Sequence, residues 1–248
     1  MRHVFQTMGT VVSLTTERAA PTAAVEGVFD LADRRFSLYR PDSQLSQIAA
    51  GHLALENADE DVVALYAEAV EWRARTDGAF TPNRPDGAID LNGIVKASTM
   101  REAGDLLDRS PCGAWTLVVG GDIVTSAHRV NTDAIGIVDP SDRTALLCSV
   151  VLPEGRRAIA TSGSAERGDH IWLGGSIHSG DFAQVTVVAD DIVTADVLAT
   201  AIVAAGHAGF DDLCERFAID VLTVDRADRM LATPGFRAAI TEASVAAV

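Results

Sequence analysis

The feature that most constrains the fold is a strand-like run that passes into an apolar helix. Gln184-Val185-Thr186-Val187-Val188-Ala189 has strand composition, and Thr194-Ala195-Asp196-Val197-Leu198-Ala199-Thr200 opens a helix over 195–205. Thr194 reads as the N-cap, which places Asp196 in the first turn. Asp196 and Thr200 stand four residues apart, so their side-chain oxygens face one side of that helix. Two hard oxygen ligands are too few to cage Mg2+, which completes its shell with waters and substrate phosphates, so a phosphate-bearing ligand is implied. The same carboxylate also suits the positive end of a helix dipole, and the pattern alone leaves both readings open.

Around this junction, strand and helix patterns alternate with no linker, repeat or low-complexity tract, so a single domain over 1–248 is expected. A strand is read at 10–16. A helix follows over 23–36 with Val25, Phe29, Ala32 and Phe36 on one face, then a helix over 57–75. The latter starts on Asn57-Ala58-Asp59-Glu60, which resembles a capping box, and buries Val62, Leu65, Tyr66, Ala69 and Trp72. A helix over 93–107 comes next, preceded by an Asp90-Leu91-Asn92-Gly93 turn. Short strands at 115–119, 134–138, 146–152 and 157–161 are separated by turn residues, which points to antiparallel pairing rather than repeated βαβ units. A second late helix near 210–217, a strand at 219–224 and a helix after Pro234 complete an α+β pattern.

Composition narrows the partners. A formal net charge of -15 disfavours nucleic acid and anionic membrane surfaces, both of which are bound through Lys and Arg clusters. An anionic ligand then needs local help from a metal, a helix N-terminus or a few cations. Lys96 is such a cation: with Asp90 and Gly93 it lies around the start of one helix, where backbone N–H groups and positive charge meet phosphate. Its expected partner is that phosphate or the Asp90 carboxylate. Three dispersed cysteines, Cys112, Cys148 and Cys214, suggest neither a disulfide framework nor a zinc site and read as core residues. The N-terminus lacks an apolar signal region and no run approaches about 18 consecutive apolar residues, so a cytoplasmic protein without a membrane span is expected.

A set of short segments, in order, carries a more specific resemblance: Met8-Gly9-Thr10, residues 36–46, Asp77-Gly78-Ala79-Phe80, residues 89–96, Val119-Gly120-Gly121-Asp122, Ala160-Thr161-Ser162-Gly163-Ser164 followed by His170, and residues 195–201. The chain resembles the ApbE family of FAD:protein FMN transferases. The resemblance implies an ApbE-like α+β domain, with a mainly antiparallel sheet and packed helices. It further implies Mg2+ bound by Asp196, Thr200 and the backbone carbonyl of Gly93, with Asp90 and Lys96 contacting FAD. Met8 and Tyr39 match positions lining the isoalloxazine or adenine region, although by composition alone both are ordinary core residues. Ala79, Phe80 and Thr81 match a backbone-contacting segment, Gly120 and Gly121 permit close approach, and Ser162 and Trp172 complete the flavin contacts. His170, among six histidines, is the expected proton carrier, with His178 the substitute in the same loop.

Three departures bear on the acceptor side. The segment between Phe80 and Ile89 is much shorter than in relatives, the family's Asp-Pro-x-Thr-Gly run after His170 is replaced by residues 171–180, and Ala97-Ser98-Thr99-Met100 stands for Gly-Tyr-Ala. The expected activity is transfer of FMN from FAD to a Thr or Ser hydroxyl of a partner flavoprotein with release of AMP. FAD hydrolysis to FMN and AMP, and flavin binding without catalysis, are the alternative readings.

Overall fold

In the computed structural model, residues 1–127, 134–163, 172–173, 176–177 and 180–243 are described; for 172, 173, 176, 177, 242 and 243 the backbone alone is. Alternating residues in β1 (Arg2–Thr7) and β2 (Thr10–Thr16) pair antiparallel around a two-residue turn, Met8-Gly9, in which both φ angles are positive. That is the primed turn whose twist matches a hairpin, and it places a methionine in a region that L-residues rarely occupy. The chain continues through α1 (Thr22–Phe36), α2 (Gln44–Ala49), a 3-10 turn at Leu55–Asn57, α3 (Glu60–Arg75) and α4 (Asn92–Asp108). A run of strands follows: β3 (Trp115–Val119), β4 (Asp122–Thr125), β5 (Ile135–Val138), β6 (Leu146–Val150), β7 (Ala158–Gly163), β8 (Trp172–Leu173), β9 (Ser176–Ile177) and β10 (Phe182–Ala189). The chain closes with α5 (Ile192–Arg216), β11 (Asp220–Asp225), β12 (Met230–Ala232), α6 (Pro234–Ala239) and β13 (Ile240–Ala243).

The main sheet has the order β1-β2-β3-β4-β7-β10-β11-β12, and every pairing within it is antiparallel. Period-two alternation sends Val12, Leu14, Leu117, Ala158, Ala160, Val185, Val187 and Val221 to one face. There Phe29, Ile94, Met100, Leu107, Leu198 and Ile202 of α1, α4 and α5 cover them. Ile159, Val188 and Leu222 point the other way and form a smaller core with Ile137, Cys148, Val150 and Phe236, beneath a second sheet of order β13-β6-β5. The α+β, mainly antiparallel expectation is met, and α1 buries Val25, Phe29, Ala32 and Phe36 as its spacing predicts.

Several boundaries differ from the sequence expectation. The helix read from Asn57 begins after Asp59, because Asn57 ends the 3-10 turn; Asp59 makes no side-chain cap, and its N–H donates to Gln44 Oε1 at 2.8 Å. Thr194 is not the N-cap of α5: Asp191 is, accepting from the Thr194 N–H at 2.9 Å, so Asp196 falls beyond the first turn. The two late helices form one element broken at Gly206, whose φ of 63° and ψ of -162° are non-helical. By length and mean hydropathy, 1.5 over its most apolar 18 residues, α5 suffices to cross a bilayer, yet 61% of that window is buried inside the fold. Cys112 and Cys148 are buried; burial, with Asp211 nearby, pushes the half-buried Cys214 thiol up to about 11, far from a reactive thiolate.

Candidate active site

Strand register brings the conspicuous turns to one end of the main sheet. Val119 pairs with Asp122 across the exposed Gly120-Gly121 turn, and Gly120, at φ 59°, donates its N–H to the Val11 carbonyl at 3.1 Å. The Met8-Gly9-Thr10 turn therefore lies beside it. Beyond β4, Thr161 of β7 donates its N–H to Asp122 Oδ1 at 3.1 Å, which fixes the buried carboxylate against the next strand. Gly163 closes β7 where β10 bulges: a Cβ there would lie 2.2 Å from the Ala183 carbonyl oxygen, so no side chain fits.

Onto this end two helices bring charge. Lys96, in the second turn of α4, places Nζ 2.5 Å from Asp122 Oδ2 and 3.4 Å from Asp196 Oδ1. The Lys96 side chain is 14% exposed, and those of Asp122 and Asp196 are 0% and 5% exposed, so the cluster is nearly dry and each charge depends on its neighbours. One turn further along α5, Thr200 Oγ1 lies 3.2 Å from Ser162 Oγ. Asp196 and Thr200 thus face the strand ends together, as their spacing predicts. Lys96 turns to Asp122 and Asp196 rather than to Asp90, whose Oδ1 accepts the Asn92 N–H at 2.9 Å and so closes the start of α4.

The neighbouring segment packs under that helix start. Phe80 is buried, and its Cε2 lies 2.9 Å from where a Cβ on Gly93 would stand, so Gly93 is the residue that lets the ring approach α4. Phe80 donates its N–H to Thr76 Oγ1 at 3.1 Å, and the Asp90 N–H reaches the Pro82 carbonyl at 2.8 Å. Between them, residues 83–89 fold into a short hairpin, with Asn83 bridged to Ile89 and the Arg84 N–H on the Ala88 carbonyl at 2.8 Å. Met8 is half-buried against the main core. Tyr39 stands 90% exposed on loop 37–43 rather than in the core.

His170 and His178 lie outside the described residues, as does Ser164; Trp172 contributes its backbone to β8. Sequence reasoning missed Asp122 as a site residue, although Gly120-Gly121-Asp122 stood out as a motif. The available signal was an acidic residue opening an apolar strand straight after two glycines, a position that burial makes expensive unless a cation meets it. Among the described residues no group of three or more His, Cys, Asp or Glu is placed to hold a metal. The side-chain donors present are the Asp196 carboxylate and the Thr200 hydroxyl, which meets the Ser162 hydroxyl; the first two are hard oxygens of the kind Mg2+ accepts, and too few to complete its shell without phosphate or water.

Comparison with solved structures places this architecture among known ones. A histidine-to-glycine variant of the flavin transferase ApbE from Vibrio cholerae superposes with a TM-score of 0.79 at 18% identity, over 96% of this chain and 99% of that one. The flavinyl transferase ApbE of Pseudomonas stutzeri, in its apo form, gives 0.80 at 22% identity over 96% of each chain. The ApbE protein of Thermotoga maritima gives 0.76 at 19%, over 96% of this chain and 98% of that one. No curated protein sequence matches the chain significantly. The family model for ApbE matches residues 8–84 and 81–223, which span every segment that forms the site, and the chain belongs to the ApbE family.

Proposed function

We propose that this chain is a Mg2+-dependent FAD:protein FMN transferase, which cleaves FAD, joins FMN through a phosphoester bond to a Thr or Ser hydroxyl of a partner flavoprotein and releases AMP. Family membership supports the transferase class, as do the names of the Vibrio cholerae and Pseudomonas stutzeri relatives. The observation that carries the reading is the buried meeting of Lys96, Asp196 and Asp122 beside the Thr200 and Ser162 hydroxyls. A cation next to hard-oxygen ligands suits a pyrophosphate better than it suits a neutral substrate.

In this reading Asp196, Thr200 and the Gly93 carbonyl hold the metal, which when bound supplies Lewis-acid stabilisation of the charge that develops as the pyrophosphate breaks. Lys96 orients the phosphates. The Gly120-Gly121 turn offers exposed backbone at the strand end; by the resemblance, Met8 and Tyr39 supply a thioether and an aromatic surface for planar rings, and 79–81 with Asp90 contact FAD. Ser162 and Trp172 complete the flavin contacts, and His170 takes the proton from the acceptor hydroxyl; these last roles rest on the resemblance.

The test is incubation of the purified chain with FAD and Mg2+, with and without candidate acceptors, followed by separation of products. AMP released in step with FMN bound covalently to an acceptor is the expected result. FMN released without acceptor would make the protein a pyrophosphatase, and bound FAD that never converts would make it a flavin carrier.

A further inference from the structure

We propose that Asp122 is a positioning residue, which holds the Lys96 ammonium off the oxygen of Asp196 and so keeps that oxygen available to a divalent cation. The inference rests on the reading above that Asp196 is a metal ligand. Its own basis is the asymmetry of the cluster: Nζ stands 2.5 Å from Asp122 Oδ2 but 3.4 Å from Asp196 Oδ1. Asp122 is built to win that competition. It is fully buried, it follows directly on the Gly120-Gly121 turn, and its other oxygen accepts the Thr161 N–H at 3.1 Å, so the carboxylate cannot swing away without breaking a contact to β7. An ammonium and a metal ion cannot share one carboxylate oxygen, because two cations in a dry pocket repel strongly. Without the Asp122 charge, the nearest described carboxylate to Nζ is that of Asp196 itself, and the lysine becomes a competitor of the metal.

A double-mutant cycle read on metal binding alone tests this. Mn2+ is titrated by electron paramagnetic resonance, without FAD and, should the parent bind no Mn2+ alone, with saturating FAD, against the parent, Asp122→Asn, Lys96→Met and the double variant. Asp122→Asn is expected to weaken Mn2+ by about tenfold, and to have no effect once Lys96 is Met, because the competitor is gone. Equal weakening in both backgrounds would mean that Asp122 acts only through its charge at a distance, and an unaltered Mn2+ affinity in Asp122→Asn would remove any role; either result overturns the proposal. A parent that binds no Mn2+ with or without FAD overturns the metal reading itself. If Asp122→Asn loses its native circular dichroism, Asp122→Ser, which keeps an acceptor for the Thr161 N–H, enters the same cycle.

Discussion

A methyl group on Gly93 would stand 2.9 Å from Cε2 of Phe80, a ring only 3% exposed and held by its backbone bond to Thr76. Two effects oppose each other in Gly93→Ala. Helix propensity favours alanine by about 0.8–1 kcal/mol, whereas overpacking a rigid core costs about 1–3 kcal/mol. The clash wins, and a net loss near 1 kcal/mol is expected by urea denaturation, falling toward a gain in a Phe80→Leu background where the ring has been removed; a cost that persists there would dissociate Gly93 from Phe80. Lys96 was legible as a cation at a helix start, but its partners were not. Asp122 and Asp196 reach it only through the register of β3 with β4 and the seating of α5, and neither is written near Lys96 in the chain.

At the scale of elements, α5 shows why caps mislead. Asp191 and Thr194 are both good N-cap residues three positions apart, and the choice falls to Asp191 because β10 ends at Ala189 and little chain remains before the helix must turn. Asp191→Ala is expected to cost about 1 kcal/mol in thermal or chemical unfolding, and Thr194→Val less, since the Thr194 hydroxyl itself bonds Asp191 Oδ2. A larger loss from Thr194→Val would restore the sequence expectation. The β11–β12 hairpin carries a pH dependence of its own. Asp225 accepts the Arg229 and Ala227 N–H groups at 2.9 and 2.8 Å and pairs with the Arg229 guanidinium at 2.7 Å; the Arg229 N–H bond is the main force holding its carboxyl below the usual range, and burial opposes it. A depressed carboxyl stabilises the fold above its unfolded value, near 3.8, and that contribution is lost as pH falls through the folded value. Asp225→Asn should therefore lower Tm at pH 7, and the gap to the parent should close below about pH 4. A gap of constant size from pH 7 to 3 would mean that the charge is immaterial.

Across the whole molecule, the class of fold was legible because short β-rich segments separated by turns favour antiparallel pairing. The strand order was not, since β7 and β10 enter the sheet between β4 and β11 by contacts between distant parts of the chain. The resulting arrangement separates two demands on the sheet. One face and one strand end serve the buried charges of Lys96, Asp122 and Asp196, while the opposite face is sealed by the smaller core around Phe236, Val150 and Ile159. Stability and chemistry should then respond to different substitutions. Phe236→Ala empties a fully buried aromatic site and is expected to cost about 3–5 kcal/mol, while FAD turnover per folded molecule stays near the parental value at a temperature below its lowered Tm. Asp196→Ala should do the reverse. Lys96 retains Asp122 as its partner, so no ammonium is stranded and Tm moves little, yet the only charge among the proposed metal ligands is gone and turnover falls by orders of magnitude at ordinary Mg2+. Thr200→Val should cost less than Asp196→Ala, because water can replace a neutral oxygen. Turnover at the parental rate in a folded Asp196→Ala protein, measured at saturating FAD, would remove the metal assignment, and with it the reason for placing two carboxylates in a dry corner of the sheet.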